Sequence, residues 1–210
     1  MGRTTPRKAL TLPELVMAVS ITALVGLAVA TVASALSYAH GRSDAMRESI
    51  QSARMAMMRT GAELRKARLV GCAADGRIVL WAGDADEDGD INVSEVVLVR
   101  YDDEEATVEQ WQVVFPPSMP PETREALDVA LTVEQLADGA AVEAYISQAT
   151  YAGYLAQWVL AAEVADFETG WDAAPPETRL VTLRLAVGPA DQRMTLSTAV
   201  RLRAATGGPA

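Results

Sequence analysis

Residues 15–36 read LVMAVSITALVGLAVATVASAL, and Arg7-Lys8-Ala9-Leu10-Thr11-Leu12-Pro13-Glu14 runs directly into them. Ser20, Thr22, Thr31 and Ser34 are the only polar interruptions, and no charge follows Glu14 until Arg42. Twenty-two such residues make roughly 33 Å of helix, enough to cross the hydrocarbon core of a bilayer. Each hydroxyl can bond back to the helix backbone, so the interruptions do not forbid a span. Arg3, Arg7 and Lys8 precede the span, which predicts a cytoplasmic N-terminus and the remainder of the chain on the opposite side.

From these residues alone, three readings are open. A secretory signal peptide accounts for the basic start and apolar core, with Ala33-Ser34-Ala35 as its small-residue cleavage site. The apolar run nevertheless exceeds the about 7–15 residues of such a region, and Glu14 sits at its cytoplasmic border. A plain single-span anchor leaves Glu14 as an edge residue facing headgroups. The third reading gives Glu14 a task, because ionisable groups at the membrane are usually functional.

That task follows from a resemblance. Lys8-Ala9-Leu10-Thr11-Leu12-Pro13-Glu14-Leu15 resembles the N-terminal signal of type IV pilins and pseudopilins. In that family a basic leader ends in a small residue, usually glycine. A prepilin peptidase cuts there on the cytoplasmic face, and the new N-terminus, usually phenylalanine, is methylated. By position, the resemblance makes Ala9 the last leader residue, Leu10 the processed N-terminus, Thr11 the family's threonine and Glu14 its glutamate. Alanine and leucine depart from the usual pair but keep the small and apolar characters. Pro13 falls in the first helical turn, where its missing amide has no partner to lose. The processed amine would lie at the positive end of a helix dipole in an apolar layer, and Glu14 of a neighbouring subunit would pair with it.

Beyond the span, Met46, Ile50, Ala53, Met57, Gly61 and Leu64 recur at three- and four-residue spacing and predict one apolar stripe. Arg47, Glu48, Arg54, Arg59, Glu63, Arg65 and Lys66 occupy the other face. No proline interrupts this region, so one helix from about Leu10 to about Val70 is expected, roughly 90 Å long, with Gly41 as a looser junction. The rest reads as mainly β. Strands are expected at 77–81, 96–101, 108–114, 155–164, 179–187 and 194–203, with one helix from Pro121 to Asp138 ended by Gly139.

The expected fold class is α+β: a long N-terminal helix, transmembrane in its first half and amphipathic in its second, packed on an antiparallel sheet, the pilin-like arrangement that the resemblance implies. Residues 1–9 are the expected leader, 10–40 the membrane or filament-core half of the helix, and 41–210 the extracytoplasmic head.

Charge divides along the chain. Residues 42–70 hold seven basic and three acidic side chains, whereas residues 71–210 hold eight basic and twenty-four acidic. An acidic head argues against nucleic-acid binding through a broad basic surface. One cluster, Asp84-Ala85-Asp86-Glu87-Asp88-Gly89-Asp90-Ile91-Asn92-Val93-Ser94-Glu95, has the pattern of a twelve-residue calcium loop. Asp84, Asp86 and Asp88 would give side-chain oxygens, Asp90 a carbonyl, Asn92 a side-chain or water-mediated contact, and Glu95 two oxygens. The flanks look like strands rather than helices, so the expectation is an EF-hand-like loop closing a β-hairpin around a structural calcium ion. A calcium-free acidic turn is the competing reading.

Catalytic constellations are missing from the sequence. His40 is the single histidine and lies just past the apolar run, and Cys72 is the single cysteine. No intrachain disulfide can form, and there is neither a phosphate loop nor a nucleophile elbow. The resemblance extends, less specifically, to the larger minor pseudopilins of type II secretion and the larger minor pilins, which sit at or near a filament tip. It implies a non-enzymatic subunit of the inner membrane and then of a periplasmic or extracellular filament, with sister subunits and prepilin peptidase as partners. The family's topmost tip subunit typically lacks the glutamate present here as Glu14. The alternative is an uncleaved single-span membrane protein displaying a calcium-stabilised binding domain.

Overall fold

The N-terminal helix opens at Leu12 with Thr11 outside it, later than the expected Leu10, and Pro13 falls within its first turn as the sequence predicts. The computed structural model describes residues 11–85, 87–174, 177–188 and 193–202. Helix α1 covers Leu12–Lys66 and stays helical through Gly26 and Gly41. The chain divides between Met46 and Arg47 into two compact units.

In the first unit the apolar side chains of α1 are exposed on all sides. Among the described residues this is the one helix long and apolar enough to cross a membrane. Its hydroxyls are satisfied internally: Ser20 donates to the Val16 carbonyl and Thr22 to that of Ala18, both at 2.8 Å, and Thr31 to that of Leu27 at 2.9 Å.

The second unit follows in the order β1 Leu69–Ala74, β2 Arg77–Trp81, β3 Ile91–Asn92, β4 Val96–Asp102, β5 Thr107–Val113, α2 Pro121–Leu127, β6 Ala130–Leu131, α3 Val133–Leu136, α4 Gly139–Ile146, β7 Leu155–Ala161, β8 Val164–Trp171, β9 Leu180–Val187 and β10 Met194–Arg201. Five strands form an antiparallel sheet in the order β1-β2-β4-β5-β7, three form a second in the order β10-β9-β8, and β3 pairs with β6.

Two apolar clusters hold this unit together. Ala53, Ala56, Met57 and Leu64 of α1 bury against Ile78, Leu80, Val97 and Val99 of the large sheet and Leu183, Leu185 and Val200 of the small one. The other face of the large sheet carries Val79, Trp81 and Leu98, covered by Leu136, Val142, Ile146 and Tyr151. The strands alternate sides, so each of β2 and β4 feeds both clusters. Leu64, Ile78 and Leu98 are fully buried; burying such a side chain stabilises by about 1.5–3 kcal/mol. The α+β layout thus stands as a long helix and an antiparallel sheet domain.

Three expectations need correction. The helix stops at Lys66, short of Val70, because Arg68 donates its amide to the Trp81 carbonyl at 2.9 Å and the chain enters β1. The Asp75-Gly76 turn that closes β1 on β2 has positive φ at both residues, 52° and 69°, the geometry that Asp-Gly favours in hairpins.

The single helix expected over 121–138 is broken. Asp128 gives its carboxylate to Ser94, β6 pairs with β3, and Thr132 starts α3 by accepting from Gln135. Gly139 opens a helix instead of ending one, since Asp138 caps α4 by accepting from Ala140 and Ala141. Finally, the expected strand 155–164 ends at Ala161, and Glu163 at φ 56° turns the chain into β8, a strand absent from the sequence reading.

Candidate functional site

Two places hold the residues singled out from sequence. At the N-terminus, Ala9 and Leu10 lie outside the described residues. Glu14 sits in the first turn of α1, where one oxygen accepts from the Thr11 amide at 2.9 Å and from the Thr11 hydroxyl at 2.8 Å. A carboxylate three residues into a helix satisfies amides that have no intrahelical acceptor and complements the dipole. Glu14 is therefore already used locally, as a helix cap, in the chain by itself.

The acidic loop connects β2 to β4, which pair with Trp81 opposite Val96. Gly89 takes φ 86° and Glu87 φ 62°, so two sharp turns fold the acidic segment back. Asp86 lies outside the described residues. Asp88 stabilises the turn from within: one oxygen accepts from the Asp90 amide at 2.8 Å, the other from the Asn92 side-chain amide at 2.9 Å.

Glu95 points inward and is buried. Its carboxylate accepts from the Trp81 indole at 2.9 Å, from the Asn92 amide at 3.4 Å and from the Ala85 amide. One buried carboxyl group thus ties Ala85 and Asn92 of the loop to Trp81 of β2. Asp84 has another arrangement. Arg68 donates to its Oδ2 at 3.1 Å while stacking over the Trp81 ring at 5.4 Å, and Asp84 Oδ1 is buried with no hydrogen-bond partner among the described residues.

These contacts bear on the calcium expectation. The donor set is oxygen throughout, as calcium requires, and an orphaned buried carboxylate oxygen is a group a cation would satisfy. On that ground the donor chemistry is of the kind calcium takes. Glu95, however, already spends both oxygens on donors, and among the described residues no three acidic, histidine or cysteine side chains converge as a metal site.

Arg68, Asp84, Glu95, Gln112, Phe115 and Arg124 line a cleft of about 410 Å³ beside the loop. Arg68, Trp81 and Asp128 are structural partners of the loop that sequence reading missed. Arg68 reads there as a helix-end base and Asp128 as part of a helix, and no local spacing links either to residues 84–95.

A second polar cluster underlies α4. Arg100 contacts Glu143, Asp102 and Glu109 and stacks on Trp111 at 4.6 Å, while Arg77 donates to Glu143 at 2.7 Å. Through Glu143 it ties α4 to the sheet. Neither a family model, nor a curated protein, nor a solved structure matches this chain.

Proposed function

We propose that the chain is a pilin-like subunit: a membrane-stored precursor, cut between Ala9 and Leu10 by a prepilin peptidase, whose apolar helix then packs with those of sister subunits in a filament of the type IV pilus or type II secretion kind. The single observation that carries this reading is the placement of Glu14, one carboxylate in the first turn of a helix otherwise apolar and uncharged to Arg42. In the assembled form Glu14 would exchange its Thr11 partners for the cationic N-terminus of a neighbour, since a carboxylate answering a full positive charge in an apolar layer gains more than one capping an amide. The head stands outside the cytoplasm, near the filament tip, and performs no reaction.

N-terminal sequencing of the mature protein tests it. A methylated Leu10 is the expected result; an intact leader or a start at Leu36 overturns it. Glu14→Ala is expected to abolish co-assembly with partner subunits while leaving membrane insertion intact.

The uncleaved single-span reading is favoured by one observation, that Glu14 already caps the Thr11 amide within its own chain. Under it, Glu14→Ala only frays the first turn of the helix and changes no assembly.

Calcium is part of the proposal in either case. Asp84, Asp86, Asp88, Asp90, Asn92 and Glu95 would hold the ion and gain relief from mutual repulsion. Calorimetry at millimolar calcium should give heat and a raised melting temperature, both reduced in Asp84→Asn. No heat and no shift would remove calcium from the account.

A further inference from the structure

From Arg47 to Lys66, α1 buries one face in the head and leaves the other bare. Arg54, Met55, Met58, Arg59 and Arg65 are all exposed there, Met55 at 41% and Met58 at 64%. Positions three, four and seven residues apart share one side of a helix, so these five form one stripe, about 17 Å from Arg54 to Arg65. Lys66 is answered by Glu63 at 3.1 Å. Arg54, Arg59 and Arg65 have no ion pair among the described residues, although residues 71–210 hold twenty-four acidic side chains.

A matching set of unanswered carboxylates lies on the turn between β4 and β5. Asp102, itself paired with Arg100, accepts from the Glu104 amide at 3.0 Å and the Glu105 amide at 3.1 Å, and Ala106 closes the turn at φ 53°. The backbone is thereby fixed, with Asp103, Glu104 and Glu105 exposed and without an ion pair among the described residues.

The turn is held at one end of the helix stripe. Val164 donates its amide to the Ala106 carbonyl at 2.9 Å, and the Ser49 hydroxyl donates to the neighbouring Glu163 at 2.6 Å. The turn therefore lies beside Ser49, and Arg54 to Arg65 run from about 8 to about 24 Å further along α1. Within one chain the three cations and the three carboxylates do not meet.

We propose that the Arg54–Arg65 stripe is the docking surface for the Asp103–Glu105 turn of a second copy of this chain, displaced along the helix. Guanidinium groups then meet carboxylates in charge-assisted pairs, and the two methionines, flexible and adaptable, fill the space between them. A second copy is the occupant because both halves of the contact stand on this chain, opposite in sign, equal in number and left unpaired by its own fold. The net negative charge of two heads opposes their approach only at range. It is largely screened beyond about 8 Å at physiological salt, whereas pairs in contact are screened much less. Stripe and turn are different patches, so the contact is head-to-tail and does not close at two copies. In setting the spacing of a filament the contact rests on the pilin-like reading; as a pairing of copies it needs no leader cleavage.

The test uses the full chain in nonionic detergent. Sedimentation should show a protein mass above one chain at about 0.05 M salt, falling toward one chain at about 0.5 M. Association that grows with salt would mark apolar contact between mutually repelling heads and overturns the proposal. Arg54→Glu with Arg59→Glu is expected to lower the associated fraction roughly ten-fold, and adding Asp103→Arg with Glu104→Arg to the same chain should restore it. Loss without restoration gives the stripe another occupant, such as nucleic acid or anionic lipid, and overturns the proposal. With the buried Cys72 replaced by alanine, chains carrying Met58→Cys mixed with chains carrying Glu104→Cys should form far more covalent dimer under mild oxidation than either alone. Equal yields overturn the proposal, and the sedimentation arm, which keeps Cys72, decides if the cysteine variants misfold. A methylated Leu10 on a chain that fails these tests removes this contact and leaves the filament reading standing.

Discussion

Residues 12–46 and residues 47–202 are both rich in apolar side chains, yet they dispose of them in opposite ways. In the first stretch Leu24, Val25 and Val32 are 67%, 57% and 68% exposed, whereas in the second Leu64, Ile78 and Leu98 are wholly enclosed. The difference is one of partner. An apolar face without internal cover is stable only where lipid or other chains surround it, while the head supplies its own cover from its sheets, the C-terminal part of α1, α3 and α4. Exposure of the N-terminal apolar side chains is thus a statement about environment, and burial of the head's is a statement about folding.

Substitutions can pull these two apart. Leu64→Ala should have the largest effect, lowering stability of the head by about 2–5 kcal/mol through a cavity between α1 and the two sheets. Chemical denaturation in detergent should register it, with no change in membrane partition. Val25→Arg should do the converse, costing about 2.5–3.5 kcal/mol of insertion. Fractionation of cells should find less chain in the membrane, and the head's melting should not move. If both variants shift both readouts, the two regions are not independent in the way their burial suggests.

Gly71→Ala sharpens the head's side of the comparison. Its Cβ would meet Leu136 Cβ at 2.4 Å and the Leu136 carbonyl oxygen at 2.7 Å. A loss of about 1–3 kcal/mol is expected from that overpacking, whereas Gly26→Ala, where nothing lies within 4 Å, should cost the chain nothing by this mechanism.

The smallest effect belongs to Asp172. The Arg179 and Leu180 amides donate to it at 2.9 Å and hold its carboxyl below the usual range. A depressed folded value means the contribution is present above the unfolded carboxyl value of about 3.9 and is lost as pH falls through the lower folded one. Melting followed from pH 5 downward should therefore fall more steeply for the unaltered chain than for Asp172→Asn.

Much of this was legible in sequence, for identifiable reasons. The 77–81, 96–101 and 108–114 strands carry β-branched or aromatic runs between turn residues, and they appear within one or two residues of where they were expected. The apolar stripe through Ala53, Met57, Gly61 and Leu64 is buried because helical spacing alone places it on one face. Illegible were the features that distant residues decide. The break at Asp128 depends on Ser94, far away in sequence, and the β8 strand has a run, Val-Ala-Asp-Phe-Glu-Thr-Gly-Trp, whose alternation is masked by two carboxylates. Within the site, Glu95 could be placed in a loop pattern, but its burial under Trp81 could not.

The sequence by itself determined that an uncharged segment of spanning length precedes an acidic, mainly β head, with Glu14 at the segment's N-terminal border. Periodicity and charge are local properties, so no fold was needed to read them. Only the tertiary structure decided which carboxylates are spent and which are orphaned, which helix face is left bare, and where Gly139 starts a helix instead of ending one. Those outcomes rest on contacts between residues remote in sequence, whose geometry no local pattern encodes.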